Sequence, residues 1–266
     1  MTKKLTKSPL TYVLAQVKIS PIVGIQRHIA DIQEKLRKDL PKFNEIETLD
    51  VNVQSDQKDV RVNTRWHFYN KESTTGVVLE KDMIIFHTTN YHTFDQFSGF
   101  LEKTLKNINE VLKIGLCTRL GLRYINFIDD NIEKHVQKPL LGFPLNFEDI
   151  KESDQGFHRT ESVKMTKCDG ILKLQSTYTH VKQINQKDFN LFVPPDLSAV
   201  AGLLAFIQNK PEDKFFLLDI DHFMLKKDVD FELKEIIDNF ASLHGGISNA
   251  FLSAITNEAK ASWGGK

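Results

Sequence analysis

The sequence predicts an α+β protein in which antiparallel β-sheets are packed by long amphipathic helices. Alternating apolar runs separated by short polar clusters are typical of antiparallel strands joined by hairpin turns. Other long stretches carry apolar residues three or four positions apart, which is typical of a helix with one buried face. The chain has 266 residues, of which 41% are hydrophobic. That is enough for one large domain or two modest ones.

The first half of the chain is predicted to fold as strand, helix, antiparallel meander, helix and strand. Leu10–Ile19 alternates as a strand does, and a helix with one apolar stripe follows over residues 21–40. Thr93 and Gln96 form a capping box at the start of a second helix, which Gly115 closes. The strands predicted around these two helices are 46–54, 60–69, 75–79, 83–89 and 117–128.

The second half is predicted to contain a hairpin, a strand and a final helix. The hairpin pairs residues 157–166 with 170–180, because the Asp169-Gly170 dipeptide between them favours a tight turn. A strand over 215–225 follows later, and the last helix begins near Asp230.

A long connection separates the hairpin from that strand. It spans residues 181–210 and is predicted to contain one short helix over 197–207. Each half combines antiparallel strands with a long amphipathic helix, and this similar order suggests an internal duplication. The predicted division is into two intimately packed halves, 1–130 and 131–266.

Charge and cysteine content narrow the class of protein. The 35 basic and 35 acidic residues balance, whereas nucleic-acid and membrane-surface binders usually carry a basic excess. Two cysteines without paired spacing exclude a disulfide framework and fit a reducing compartment. No secretory segment and no apolar run approaching about 18 residues occurs. We expect a cytoplasmic protein without a membrane partner.

Two predicted strands place like charges at alternate positions of an apolar run. Arg119 and Arg123 share one face of their strand, and Asp219 and Asp221 share one face of theirs, because side chains alternate along a strand. Buried charges are costly unless they are paired. The favoured interpretation is therefore that the two arginines face the two aspartates across a sheet, as structural ion pairs.

The same four residues also allow a ligand site. Two carboxylates on one strand face can bind a divalent metal, here at Asp219 and Asp221, although no phosphate-binding Gly-Ser turn lies upstream of them. Arg119 and Arg123 can bind an anion, because the guanidinium fork fits phosphates and carboxylates. Gly121 between them leaves room for an anion or an aromatic side chain to approach closely.

Histidine and cysteine provide no metal or catalytic signature. His222 points to the face opposite the aspartates, and the closest histidine pair, His87 and His92, lacks the spacing of a zinc site. Cys117 shares strand parity with the arginines, which could lower its thiol pKa, but a buried core cysteine is the favoured interpretation. The phosphate-loop, dinucleotide-binding, nucleophile-elbow and zinc-protease motifs do not occur. No catalytic residue and no cofactor is predicted.

The predicted strand over 60–69 ends in the aromatic-rich run Trp66-His67-Phe68-Tyr69. Aromatic rings on a strand can stack nucleic-acid bases, so this segment allows a base-binding surface. A half-buried strand of ordinary alternation is the favoured interpretation.

Several of these segments resemble a known family. They are Pro9-Leu10, Trp66-His67-Phe68, Arg119 to Asn126, Leu218 to Asp221, the helix over 243–251 and Ile255-Thr256 with Trp263. Over nearly its whole length the chain resembles a sporadically distributed, uncharacterised family of bacterial proteins of about 250 residues. The resemblance implies no activity and no catalytic residues. The sporadic distribution suggests an accessory defence or toxin–antitoxin component. At His222 the resemblance implies an apolar residue instead.

The favoured functional hypothesis is a non-enzymatic cytoplasmic bacterial protein that binds a protein partner or forms a homodimer. The alternative is an enzyme or sensor for a nucleotide or phosphorylated metabolite. In that case Arg119 and Arg123 clamp the anion, Asp219 and Asp221 hold Mg²⁺, and all four line an open cavity. A nucleic-acid-binding protein with a local basic patch is a further alternative.

Overall fold

The computed structural model describes residues 7–54, 57–128, 131–141, 156–180 and 214–264. These residues contain nine β-strands and five α-helices, which confirms the α+β fold class. The strands are β1 (Leu10–Ile19), β2 (Lys42–Gln54), β3 (Gln57–Tyr69), β4 (Thr75–Glu80), β5 (Met83–Thr88), β6 (Leu116–Ile128), β7 (Gly156–Met165), β8 (Gly170–His180) and β9 (Lys214–Asp230). The helices are α1 (Ile29–Leu36), α2 (Phe94–Leu112), α3 (Ile132–His135), α4 (Leu233–Ala254) and α5 (Asn257–Trp263).

The described residues group into two units. Unit 1 takes them from Met1–Val13, Leu122–Phe223 and Ser242–Lys266, and unit 2 from Leu14–Gly121 and Met224–Ala241. Each unit therefore draws on both halves of the sequence. The predicted halves, 1–130 and 131–266, stay a prediction.

Unit 2 contains an antiparallel meander packed by two helices. Its strand order is β2-β3-β4-β5-β1-β6-β9, and β2 to β5 pair consecutively as hairpins. Helix α2 buries residues at three- and four-residue intervals, and its Phe100 meets Phe86 of β5 edge-on, with 6.2 Å between the ring centroids. The helix face of the meander is therefore an apolar core in which aromatic side chains take part.

Helix α2 begins where the sequence predicts and ends before Gly115. Thr93 Oγ1 accepts a hydrogen bond from the Gln96 backbone N–H at 3.2 Å. At the other end Lys113 adopts the left-handed conformation with φ 50°, and Asn109 Oδ1 accepts the backbone N–H of the next residue at 2.8 Å. The prediction that Gly115 closes the helix is wrong, because the Asn109 side chain supports this turn without a glycine.

The first helix is shorter than the predicted 21–40 segment. A 3₁₀ turn, Ile25–His28, precedes α1, and α1 itself ends at Leu36. Gly24 lies just before the 3₁₀ turn, and glycine disfavours the helix interior. The predicted helix over 197–207 and the connection 181–210 lie outside the described residues. No helix in the described part of the chain is long and apolar enough to cross a membrane.

Unit 1 has the strand order β1-β6-β9-β8-β7. Strands β7 and β8 form the predicted hairpin, with Gly156 opposite His180 and Met165 opposite Ile171. Asp169 has a φ of 54°, as the tight turn requires.

In unit 1, the part of α4 from Ser242 onward packs on one face of these strands. The ring of Tyr124 on β6 lies 5.9 Å from that of His244 on α4, and His222 on β9 contacts the Leu243 carbonyl. Arg123 lies one position from Tyr124 along β6, and Asp219 lies three positions from His222 along β9. Because side chains alternate along a strand, Arg123 and Asp219 point to the opposite face. That opposite face carries the charged side chains.

Candidate binding cleft

A cleft of about 590 Å³ lies over four adjacent strands of unit 1. Asp219 is buried, whereas Arg159 and Glu161 are exposed, so the cleft has a buried floor and an exposed rim. The described residues that line it are Arg123 from β6, Asp219 and Asp221 from β9, Lys173 and Gln175 from β8, and Arg159, Thr160 and Glu161 from β7. Three of the four residues singled out from the sequence are among them.

Arg123 and Asp219 form a two-pronged ion pair at the floor. Arg123 Nε donates to Asp219 Oδ1 at 2.8 Å, and Arg123 Nη2 donates to Asp219 Oδ2 at 2.6 Å. The two side chains are only 12% and 6% exposed. Phe127 lies four residues after Arg123 on β6, and Phe215 lies four residues before Asp219 on β9. Their rings stack with 5.1 Å between the centroids. In buried, apolar surroundings the attraction between paired charges is strong, and leaving one charge unpaired costs free energy of folding.

The fourth residue, Arg119, belongs to unit 2, where its Nη1 donates to Gln16 Oε1. A Cβ atom at position 121 would lie 2.9 Å from Arg119 Nη1. The space that Gly121 leaves is therefore filled by the Arg119 guanidinium, not by an anion or an aromatic ring. The structure thus brings Arg123 to Asp219 and gives Arg119 an amide partner from β1.

Asp221 lies two residues beyond Asp219 and lines the same cleft, half-buried. Both oxygens of Asp219 already accept hydrogen bonds from Arg123. No group of three or more potential metal-binding His, Cys, Asp or Glu side chains occurs within the described residues. A divalent metal at Asp219 would therefore compete with the Arg123 guanidinium for the same carboxylate, and the described residues supply few further ligands.

The rim is balanced in charge. Glu161 Oε2 accepts from Lys173 Nζ at 2.8 Å and from Gln175 Nε2 at 3.2 Å. Because Lys173 and Glu161 are 40% and 43% exposed, this pair contributes little stability. Over the whole described lining, three basic and three acidic side chains give a formal charge of zero. The cleft therefore presents donors and acceptors side by side.

Sequence reasoning missed the contribution of the hairpin. Arg159 and Glu161 alternate on β7, Lys173 and Gln175 alternate on β8, and Glu161 lies directly opposite Gln175. The alternation of polar residues along both arms was the available signal, because it places them on one face. Their meeting with Asp219 could not be inferred, since the sequence does not show that β8 is the neighbour of β9.

His222 occupies the other face of β9, as predicted, and is buried there. Its Nδ1 lies 2.9 Å from the Leu243 carbonyl oxygen. Since a carbonyl can only accept, Nδ1 carries the hydrogen. Burial lowers the pKa of His222, and the bond to Leu243 opposes that shift.

Gly246 provides the space for the His222 ring. A Cβ at position 246 would lie 2.5 Å from Cε1 and Nδ1 of that ring, and a Cβ at Gly170 would lie 2.7 Å from Nε2. We therefore expect Gly246→Ala to lower the free energy of unfolding by about 1–3 kcal/mol, measured by urea denaturation. Gly245→Ala is the matched control, because nothing lies within 4 Å of its Cβ. It should be neutral or stabilising by up to about 1 kcal/mol. Equal losses in both variants would contradict this packing.

Cys117 is buried in unit 2. Its Sγ donates weakly to the Arg119 carbonyl at 3.9 Å, and burial raises the thiol pKa to about 11. The possibility that the nearby arginines lower this pKa is wrong, because desolvation of the thiolate dominates. The favoured interpretation, a core cysteine, is what the structure shows.

Unit 2 also contains a buried histidine cluster. His67 Nδ1 lies 2.7 Å from the Tyr69 hydroxyl, and the Tyr69 ring meets His87 edge-on at 5.6 Å. Burial is the main cause that lowers the pKa of both histidines to about 4. Strand register brings them together, because Tyr69 lies opposite Gly76 and Gly76 lies opposite His87. That register could not be inferred from spacing along the chain.

The base-stacking interpretation of the strand Trp66 to Tyr69 is not supported. Trp66, His67 and Phe68 are all buried, and Tyr69 is half-buried. Stacking of a base needs an exposed ring face. These aromatic residues therefore form part of the packed interior of unit 2.

No protein-family model matches the chain, and no curated protein matches it either. The resemblance to the sporadically distributed bacterial family stays a prediction that rests on the motifs quoted above. Function must therefore be argued from the cleft itself.

Proposed function

We propose that the protein is a non-enzymatic binding protein, and that its cleft holds a polypeptide segment of a protein partner. The observation that carries this proposal is a cleft of about 590 Å³ whose described lining has three basic and three acidic side chains. A peptide offers backbone donors and acceptors together with side chains of both signs. Such a ligand is complementary to a mixed-charge surface.

A nucleotide or phosphorylated metabolite fits this lining less well. Arg123 directs two N–H groups to Asp219, and Lys173 is paired with Glu161. A polyanion would also have to approach the Asp221 carboxylate. The alternative needed Arg119 in the cleft, but Arg119 bonds to Gln16 in unit 2. The same charge balance disfavours nucleic acid, whose phosphates need an excess of basic groups.

The chemistry of the lining also favours binding over catalysis. The described lining contains carboxylates, cations, an amide and the hydroxyl of Thr160. That hydroxyl lies 2.6 Å from the Ser176 hydroxyl, with no histidine in the lining to activate it. A nucleophile beside an oriented base is the usual signature of covalent catalysis.

The cellular setting is part of the proposal and rests on the family resemblance and on composition. We place the protein in the bacterial cytoplasm, as an accessory component of a defence or toxin–antitoxin system. The partner is a second protein or a second copy of this chain. The internal duplication of the two halves, with amphipathic helices packing each sheet, also belongs to this proposal.

A displayed peptide library tests the binding role. We expect selection on the wild-type protein to enrich peptides that carry both acidic and basic side chains. Arg159→Glu reverses a charge at the exposed rim and should weaken binding of these peptides by at least about tenfold. Lys35→Glu is the control, because it reverses a basic charge at another exposed position, where Lys35 pairs with Glu110 at 2.7 Å in unit 2. It should leave binding unchanged.

Two results would contradict the proposal. Enriched peptides that bind wild type and Arg159→Glu equally would show that the cleft is not their site. A failure to enrich any peptide, together with a rise in melting temperature on adding nucleotides, would favour the phosphometabolite alternative.

A further inference from the structure

The turn between β7 and β8 brings a thiol, a hydroxyl and an imidazole together in unit 1. Thr166 Oγ1 lies 2.9 Å from His222 Nε2 and 3.3 Å from Cys168 Sγ. Cys168 Sγ lies 3.7 Å from the same imidazole nitrogen. These groups are on the helix-covered side of β9 and do not line the binding cleft.

The hydrogen-bond contacts of His222 and Thr166 define a path along which the Cys168 thiol proton can move. His222 Nδ1 carries its hydrogen toward the Leu243 carbonyl, so Nε2 of the neutral ring holds a lone pair. Gly170 has a carbonyl that accepts the Thr166 backbone N–H at 2.8 Å and lies 3.0 Å from Thr166 Oγ1. The Thr166 hydroxyl can donate to this carbonyl or, at 2.9 Å, to Nε2; when it donates to Nε2, Oγ1 can accept from Cys168. The thiol proton thus has a continuous path to a base that is oriented by a third group.

The close approach of the ring to the turn depends on Gly170. A Cβ at that position would lie 2.7 Å from His222 Nε2 and 3.0 Å from Thr166 Oγ1. Glycine at the end of the turn therefore allows the imidazole to reach the hydroxyl. Gly170 and Gly246 together leave the space that the His222 ring occupies.

The two cysteines of the chain differ in their surroundings. Cys117 is buried, and burial raises its thiol pKa to about 11, so it is expected to be unreactive. Cys168 is partly exposed at the hairpin turn, between the exposed residues Lys167 and Asp169. Burial lowers the pKa of His222, which keeps the ring neutral and able to accept a proton near pH 7. Lys167 and Asp169 flank Cys168 in the chain, and His222 Nε2 lies 3.7 Å from its Sγ.

We propose that Cys168 is a nucleophilic thiol, activated by proton transfer through Thr166 to His222, and that it forms mixed disulfides with low-molecular-weight disulfides. The Cys168 proton moves to the Thr166 hydroxyl as the hydroxyl proton moves to His222 Nε2. The thiolate then attacks one sulfur of the disulfide, so that a new S–S bond forms and the old one breaks. The leaving thiolate takes up the proton from His222. Cys168 is oxidised, the second half of the disulfide is reduced to a thiol, and the imidazole returns to its neutral form.

The test is the rate at which the native protein reacts with an aromatic disulfide that releases a coloured thiol. The wild type and Cys117→Ala should both react rapidly at pH 7 with one equivalent of the disulfide per protein chain. Cys168→Ser should not react rapidly. Thr166→Val keeps the side-chain volume but removes the hydroxyl, and should slow the reaction by about tenfold or more. Thr166→Ser should restore the rate. Thr75→Val is the matched control, because this hydroxyl bonds that of Thr88 at 2.8 Å in unit 2 and its loss should leave the rate unchanged.

The pH dependence separates proton transfer from a change in access. Above about pH 9.5 most unassisted thiols are ionised, so the base is no longer needed and Thr166→Val should react as fast as the wild type. A slow reaction of Thr166→Val at both pH values would indicate blocked access and overturn the proposal. Equal rates for Thr166→Val and wild type at pH 7 would also overturn it. So would modification of Cys117 ahead of Cys168.

Discussion

Replacement of Asp219 by Ala is expected to lower the free energy of unfolding by about 3–5 kcal/mol, because it leaves the Arg123 guanidinium buried without its two-pronged partner. Arg123 and Asp219 are joined by bonds of 2.8 and 2.6 Å and are nearly inaccessible to water. Urea denaturation at pH 7 measures the loss. Glu161→Ala in the same cleft is the comparison, because the Glu161–Lys173 pair is exposed and should change stability by no more than about 1 kcal/mol.

The double variant Arg123→Met/Asp219→Leu separates the pair from the packing around it. Removing both charges avoids an unpaired buried ion, so the double variant should be more stable than Asp219→Ala alone. A large coupling free energy in this cycle is the expected result. If Asp219→Ala unfolds like the wild type, the pair is not buried in solution and the account of the cleft floor is wrong.

Acidification is expected to destabilise unit 2 between pH 6.5 and 4 through His67 and His87. Both are neutral in the folded protein because burial lowers each pKa to about 4, whereas an unfolded histidine titrates near 6.5. Their stabilisation is therefore fully present above pH 6.5 and is lost as the pH falls toward 4. The full effect amounts to about 3 kcal/mol for each histidine, since one pKa unit corresponds to about 1.4 kcal/mol.

Matched histidine variants isolate this effect from the titration of carboxylates. His67→Gln should reduce the difference in unfolding free energy between pH 7.5 and pH 5. In this variant, only His87 of the two buried histidines takes up a proton when the protein unfolds at pH 5. His92 is exposed, so His92→Gln should keep the wild-type pH dependence. An unchanged pH dependence in His67→Gln would show that His67 is already solvated in the folded protein.

Local patterns predict the elements well because their signals lie within a few residues. Strand β1 matches its predicted bounds, and the hairpin turn forms at the Asp169-Gly170 dipeptide. The Thr93 cap also forms as predicted. In each case a short stretch determines the backbone through turn chemistry, capping or alternation.

Partners across the sheet were only partly predictable. Like charges on alternate positions indicated that Arg123 needs a partner, and the structure supplies Asp219 from the neighbouring strand. The same reasoning cannot show that Arg119 bonds to Gln16, because only the adjacency of β1 and β6 places an amide beside it. The meeting of Cys168 with His222 likewise depends on which strands become neighbours. Strand order is a property of the whole chain and leaves no local trace.

The central claim is that the cleft recognises polypeptide and not a phosphate group. Its most direct test is the melting temperature of the wild type and Arg159→Gln, each with a library-selected peptide and, separately, with pyrophosphate and Mg²⁺. Ligands that bind the folded state raise this temperature. The peptide should raise it in the wild type and less in Arg159→Gln, while pyrophosphate should leave both unchanged. A dose-dependent rise with pyrophosphate that is lost in Arg159→Gln would contradict the claim and identify the cleft as an anion site.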